Sequence, residues 1–146
     1  APEFPTVRLK ILGEGHLKEN LKNLASKLSI NDRVDFLGFQ DDIIPYYLNA
    51  RATLLTSLYD GFPNVLGESI TLGTPVVSFY CPSGANEIIK NGIDGYLRDY
   101  LNIEQFSNGL KQVLTKAFDR KTVMHSIEFT RNDKVINQWI IFLNAI

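Results

Sequence analysis

Cysteine occurs once in the 146 residues, at Cys81, which rules out an internal disulfide framework and a cysteine-rich zinc site and fits a reducing compartment. Cys81 itself reads as a small, buried or half-buried residue beside Pro82. Histidine is scarce as well: His16 and His125 stand far apart, and neither sits in a Ser, Cys or Asp constellation that suggests nucleophilic catalysis. Net charge is −1 with acidic and basic residues interspersed, so the electrostatic footprint of a nucleic-acid binder is missing. No apolar run reaches the roughly 18–20 residues of a membrane span, and no basic, apolar leader opens the chain. The expectation is a soluble, cytoplasmic domain without a transmembrane segment, with membrane association left to a longer protein. Gly13-x-Gly15 lacks the third glycine and the acidic partner of a dinucleotide fingerprint, which argues against a dehydrogenase.

What is present is ordinary globular material, 45% hydrophobic against 21% charged. A chain of this length buries about two-thirds of its unfolded surface, enough for one core. Residues 1–5, Ala1-Pro2-Glu3-Phe4-Pro5, read as an irregular lead, vector-derived or disordered, and residues 6–146 as one domain with helices at its carboxyl end. Along that domain strand and helix signals alternate, the signature of a parallel sheet covered on both faces. Val7, Leu9 and Ile11 alternate with Arg8 and Lys10 in a first strand, and Leu17, Leu21, Leu24 and Leu28 mark a helix whose stripe is expected in the core. Val34 to Leu37 reads as a second strand, Ile43 to Ala50 as a short helix with Pro45 in its first turn, and Tyr46 and Tyr47 as packing residues. A short helix over Ala85 to Lys90 precedes a last strand, Gly95 to Arg98, and helical spacing follows from Ile103 to Phe118 and again from Val135 to Leu143.

The densest signal lies in the middle, at Tyr59-Asp60-Gly61-Phe62-Pro63-Asn64-Val65-Leu66-Gly67-Glu68. An apolar, β-prone run, Ala52 to Ser57, comes before it, and Leu72-Gly73-Thr74-Pro75 closes a helix ahead of a second such run, Val76 to Phe79. Strand, acidic loop, helix and strand follow one another. Pro63 suits the first helical turn, where its missing N–H is no loss, and the free N–H groups near Asn64 and Val65 then make an anion site backed by the helix dipole. Two carboxylates beside a phosphate site, Asp60 before the helix and Glu68 a turn or so inside it, suit a ligand with hydroxyls on both sides of its phosphates. Nucleotide sugars have that shape. Taken alone, Asp60-Gly61 also reads as an exposed turn pair, and Glu68 as a solvated helix residue.

At these residues the chain resembles the retaining glycosyltransferases of the two-domain GT-B fold, the group 1 and glycogen synthase-like family. That family's signature is a Glu, seven residues and a second Glu around a Gly-Phe-Gly or Gly-Phe-Pro-Asn loop, and Asp60 and Glu68 stand at its two acids. Ile11-Leu12-Gly13-Glu14-Gly15 resembles the family's first glycine loop, Arg33 to Gly38 its second strand and turn, and Ser83 to Ile89 with Gly92 and Gly95-Tyr96-Leu97 its later loop and strand. The resemblance covers about Thr6 to Leu97 and implies a Rossmann-like, truncated carboxyl-terminal domain that binds a nucleotide diphosphate sugar as donor. In it Asp60 holds donor-sugar hydroxyls, Glu68 the ribose hydroxyls, and the amides of Asn64 and Val65 the diphosphate. Gly61, Phe62 and Pro63 shape the loop around it, with Gly13, Gly15 and Gly38 among the binding residues and the base against the turn after Phe36. Asp60 is one methylene shorter than the family's Glu, about 1.5 Å of reach by ordinary bond lengths, which leaves the sugar's identity open.

No cofactor and no metal are implied; Asp-x-Asp, the usual pair for a metal-bound nucleotide diphosphate, does not occur, and Asp41-Asp42 reads as a helix start. The implied reaction moves a hexose or N-acetylhexosamine to a cell-surface glycan or a lipid-linked acceptor. The family's amino-terminal acceptor domain and the basic residues that neutralise the diphosphate have no counterpart here, so the chain alone is expected to be inactive. Two other readings stay open, a nucleotide-sugar-binding module that acts only with a separate partner chain, and an epimerase or phosphorylase on the same fold. The family's central first strand is also missing from a sheet of order 3-2-1-4-5-6. A gap between two half-sheets is expected: either the halves close together, or another segment or chain fills the slot, or the domain is a fragment with strained packing, and a mixed or rearranged strand order fits the same expectation.

Overall fold

The computed structural model describes residues 3–80, 84–127 and 140. They form two compact units, Ala1–Ile43 and Ile44–Ile146, each with its own sheet.

The first unit runs β1 (Leu9–Leu12), α1 (Lys18–Lys27), a single 3-10 turn at Asn31–Arg33 and β2 (Val34–Gly38). β1 and β2 pair in parallel from Leu9 opposite Val34, with a register shift between Ile11 and Leu12 that brings Leu12 opposite Gly38. Arg33 donates to the carbonyls of Phe4 (2.5 Å) and Val7 (3.0 Å), which ties down a lead segment whose composition alone suggests irregular chain. Arg8 forks onto the Asp35 carboxylate at 2.6 and 3.1 Å and so links the start of β1 to β2.

The leucine stripe of α1 departs from expectation. Leu17, Leu21, Leu24 and Leu28 are 52%, 41%, 50% and 59% exposed, and Ala25 is the buried residue of the helix. The periodicity is real, and what it lacks is a surface to bury against. Two short strands offer too little area to cover a four-leucine stripe, which is why a two-stranded sheet is marginal by itself.

The second unit is α2 (Ile44–Asn49), β3 (Thr53–Leu55), α3 (Asn64–Thr71), β4 (Val76–Phe79), α4 (Ala85–Ile88), β5 (Gly95–Arg98), α5 (Ile103–Thr115) and α6 (Arg120–Ser126). Its sheet is parallel throughout, in the order β3-β4-β5. All of β4 is buried, Ser78 included, so burial runs through the strand rather than alternating. Alternate side chains then serve opposite faces. Val76 belongs to a cluster with Leu66 and Ile70 of α3, Ile88 of α4 and Val123 of α6, each 0% exposed. On the other face Phe79 stacks on Phe106 of α5 at 4.6 Å, and Gly109 lies against Val77. Burying each large apolar side chain contributes roughly 1.5–3 kcal/mol, so α3 is clamped between β4 and α6.

Helix α6 falls where the sequence reading places no element. Its N-cap is Asp119, whose carboxylate accepts from Thr122 N at 2.8 Å and from its hydroxyl at 2.6 Å. Val123 and Ile127 complete the core beside α3. The helix expected through Phe118 ends at Thr115, and Phe118 packs against the core from the loop beyond it.

The strands pair as two separate sheets, each parallel within itself. An order of 3-2-1-4-5-6 without its first strand leaves a pair and a triplet, which are β1-β2 and β3-β4-β5 here. Every pairing between these strands is parallel, so strand order within each sheet is not rearranged. Apart from Ile140, the expected helix from Val135 onward, with Trp139, lies outside the described residues, as do Cys81, Pro82 and Ser83.

Candidate functional site

In the second unit the chain leaves β3 at its carboxyl end and crosses Asp60, Gly61 and Phe62 before entering α3. Helix α3 is amphipathic in a way that fixes what each side of it can do. Leu66, Ser69 and Ile70 are its buried residues, which turns Asn64, Val65 and Glu68 outward, and all three are exposed. Glu68 is four residues from Asn64 and three from Val65, so its side chain shares their face one turn further in.

Pro63 sits one place earlier than expected. It is the N-cap rather than part of the first turn, with φ −74° and ψ 86°, and it is fully buried. That ψ keeps it out of the helix while its carbonyl receives the first amide, Leu66 N, at 2.9 Å. The amides of Asn64 and Val65 come before that bond, and among the described residues nothing accepts from them, as expected of the first donors of a helix. No side chain caps them through Pro63. Phe62 and Val65 flank the entrance at 51% and 38% exposure.

The loop is held from below by a residue of the next connection. Gly84 adopts φ +79°, and a Cβ there would lie 2.7 Å from Pro63 Cδ and 2.9 Å from the Gly61 carbonyl oxygen. Glycine is required on both counts, conformation and contact. Gly61 faces open space, with nothing within 4 Å of a Cβ built on it. Asp60 is partly buried at the mouth of the loop.

Tyr47 changes the picture of Glu68. Its packing role holds, since it is 9% exposed, but its hydroxyl also donates to Glu68 Oε2 at 2.9 Å. Burial first, and the bond to Glu68 second, push the phenol well above its ordinary pKa, so it stays a donor. Thr74 Oγ1 donates to the Tyr47 carbonyl at 2.7 Å, and Ser69 Oγ donates to the Thr74 carbonyl at 2.9 Å. Ser69 Oγ also lies 2.7 Å from Thr53 Oγ1 at the start of β3. The tyrosine and the glutamate are 21 residues apart, and no local spacing reports such a pair, which is why sequence reading leaves Tyr47 as packing alone.

The first unit brings two of its three candidate glycines together. Gly13 N–H donates to the Gly38 carbonyl at 2.7 Å. Both have positive φ, +103° and +70°, and they mark the carboxyl end of that sheet, where open α/β folds hold ligands. Glu14 lies over Gly38, with Oε1 2.6 Å from where a Cβ would be, and pairs with Lys18 at 3.0 Å. Gly15 is exposed on the turn leading to α1 and faces open space.

A separate cleft of about 400 Å³ is lined by Lys90, Ile93, Lys121, Thr122, His125 and Ser126, none of them from the acidic loop. Within it Lys90 Nζ donates to the Ser126 carbonyl, and His125 Nδ1 lies 2.6 Å from the Lys121 carbonyl. Among the described residues no three His, Cys, Asp or Glu side chains stand close enough to hold a metal ion, and no helix is long and apolar enough to cross a membrane.

Against known proteins, the family profile described as glycosyl transferases group 1 matches residues 1–132. An uncharacterized glycosyltransferase of Haemophilus influenzae is 32% identical over 145 residues, 95% of this chain and 40% of that protein. The amylovoran biosynthesis glycosyltransferase AmsD of Erwinia amylovora is 30% identical over 142 residues, 94% of this chain and 40% of that protein. Among solved structures, the lipopolysaccharide outer core galactosyltransferase WaaB in its apo form superposes with a TM-score of 0.84 at 28% identity, over 94% of this chain and 41% of that one. The chain thus spans about two-fifths of the length of the relatives it matches.

Proposed function

The chain belongs to the group 1 glycosyl transferases, and on that premise we propose that it is the donor-binding part of a retaining glycosyltransferase. In this reading a nucleotide diphosphate sugar places its diphosphate on the amides of Asn64 and Val65. Glu68 accepts hydrogen bonds from the ribose hydroxyls, and Asp60 from hydroxyls of the donor sugar. The observation that carries it is the outward face of α3, where amides that have no acceptor among the described residues and an anchored carboxylate stand one turn apart. An anion fits the amide end, which carries the positive end of the helix dipole. A neutral, hydroxyl-bearing ring fits the carboxylate.

The acceptor is proposed from kinship. The relatives include an amylovoran and a lipopolysaccharide core enzyme, which supports transfer of a hexose or N-acetylhexosamine to a cell-surface glycan or lipid-linked acceptor on the cytoplasmic side. Retention of the anomeric configuration follows from the resemblance to the GT-B family, as does independence of metal and cofactor. Because the matched relatives are longer, the acceptor is assigned to the part of such proteins beyond these residues, and the chain by itself is expected to bind donor weakly and transfer nothing.

Calorimetry with uridine, guanosine and adenosine diphosphate sugars tests this. A charge-assisted hydrogen bond contributes about 1.5–3 kcal/mol, so Glu68→Ala should weaken nucleotide binding by about one to two decades. Asp60→Ala should weaken the sugar nucleotide more than the bare nucleoside diphosphate. If wild type and both variants bound alike, the assignment of this site would be wrong.

A further inference from the structure

A solvated glutamate is a poor grip, because a ligand that captures it must freeze three rotatable bonds. Here the freezing is done beforehand. The Tyr47 hydroxyl holds Glu68 Oε2 at 2.9 Å, and the tyrosine is itself fixed at both ends. Its ring is buried, and its carbonyl accepts from Thr74 Oγ1 at 2.7 Å. The Thr74 carbonyl accepts from Ser69 Oγ at 2.9 Å, and Ser69 is the residue next to Glu68 on α3. The circuit therefore closes on the helix that carries the carboxylate. Ser69 and Thr74 are 0% and 2% exposed, so water does not compete for these bonds. With Oε2 taken, Oε1 is the oxygen left for a ligand, on the face that Glu68 shares with Asn64 and Val65.

We propose that Tyr47 is a positioning residue that aims Glu68, and that this preset carboxylate makes the site prefer a nucleotide whose ribose carries both hydroxyls over one that lacks them. The inference rests on the donor site described above and assigns its selectivity to a residue outside the acidic loop. A carboxylate locked in place gains both of its ligand bonds at little entropic cost, whereas a free one gives part of that gain back in lost rotamers. A ligand without those hydroxyls gains nothing from the lock, so the effect of Tyr47 is confined to the ribose.

The test uses the full-length protein and the bare diphosphates UDP, GDP and ADP, with the 2′,3′-dideoxy counterpart of whichever binds best. Calorimetry compares wild type, Tyr47→Phe, Glu68→Ala and the double variant. Tyr47→Phe should weaken the ribonucleotide about 5- to 10-fold, leave the dideoxy ligand within about twofold, and add nothing in the Glu68→Ala background. Equal weakening of both ligands, or additivity with Glu68→Ala, would mark a merely structural role and overturn the proposal. So would a Tyr47→Phe protein that binds like wild type while Glu68→Ala is impaired. Wild-type affinity in Glu68→Ala would instead bring down the donor-site reading itself. A second readout keeps Tyr47 intact: with ring-labelled tyrosine, its Cζ resonance, assigned from the Glu68→Ala spectrum, should move on adding the ribonucleotide and stay put on adding the dideoxy form. No response to the ribonucleotide overturns the proposal.

Discussion

The two units of this chain carry similar apolar periodicity and put it to different use. In Ile44–Ile146, Leu66, Ile70, Val76, Ile88 and Val123 are wholly buried between a three-stranded sheet and the helices on its faces. In Ala1–Ile43, the leucines of α1 and of its two caps stand between 41% and 59% exposed beside a two-stranded one. A helical stripe states which face of a helix is apolar. Whether that face is covered depends on how much sheet exists to cover it, and this is a property of topology. The candidate diphosphate site is anchored to the unit whose core is closed, where a helix start can be held to the precision that ligand contacts need.

The comparison breaks if equivalent truncations cost the same in both units. Leu66→Ala removes a wholly buried side chain from the cluster on α3 and should cost about 2–5 kcal/mol, with the usual cavity term. Leu24→Ala on α1 starts from a side chain already half in water and should stay within about 0.5 kcal/mol. Denaturant unfolding measures both. Amide exchange adds the spatial check, with α3 and β4 protected longer than α1 in the wild type. Similar losses from the two variants would mean that the α1 stripe is covered in solution.

The next effect tests how far the closed core controls the acidic loop. Gly84→Ala forces a Cβ to within 2.7 Å of Pro63 Cδ and 2.9 Å of the Gly61 carbonyl, at a φ of +79° that L-residues disfavour. The expected cost is about 1–3 kcal/mol, less than for Leu66→Ala, yet nucleotide affinity should suffer more than in any core variant. The reason is that the displaced atoms are those of the loop that starts α3. A variant with lowered stability and unchanged affinity would uncouple the connection after β4 from the site.

Much of the site is legible without coordinates because its parts are local. Asp60, Gly61, Asn64, Val65 and Glu68 lie within one strand-loop-helix passage, and helix geometry alone sets Glu68 on the face of Asn64. Pro63 is misplaced by a single position, since its fixed φ suits both the N-cap and the first turn and only ψ tells them apart. Tyr47 and Gly84 are legible only in three dimensions. One acts through a hydrogen bond across 21 residues, the other through the absence of a side chain against a loop some twenty positions earlier. The capping Asp119 that starts α6 could have been found, because Asp followed three places later by Thr is a local helix-start pattern. The exposed leucines of α1 could not, for the reason already given.

The smallest expected effect separates the units by the sign of their pH dependence. Asp35 lies at the surface, where its hydrogen bond from Arg8 first, and the charge of that guanidinium, hold its carboxyl below the usual range. Its contribution is present above the unfolded-state pKa and is lost as pH falls through the folded-state value. Asp94 is the opposite case. It is 0% exposed, Oδ1 accepts from Lys90 N at 2.8 Å, and Oδ2 has no hydrogen-bond partner among the described residues. Burial therefore raises its pKa, against the lowering influence of Ser126 and the Lys90 amide. The folded state then binds the extra proton, and stability falls as pH rises from the unfolded carboxyl value through the raised folded one. Asp94→Asn keeps the acceptor for Lys90 and removes the charge, so it should flatten that fall and gain about 1 kcal/mol above it. Urea midpoints for wild type and Asp94→Asn, taken every half unit from acid to neutral pH, should converge at the acid end and separate towards neutrality with the variant above. Parallel curves would show that Asp94 is ionised in the folded chain across the whole range, and the contrast between a buried acid in one unit and a paired surface acid in the other would vanish.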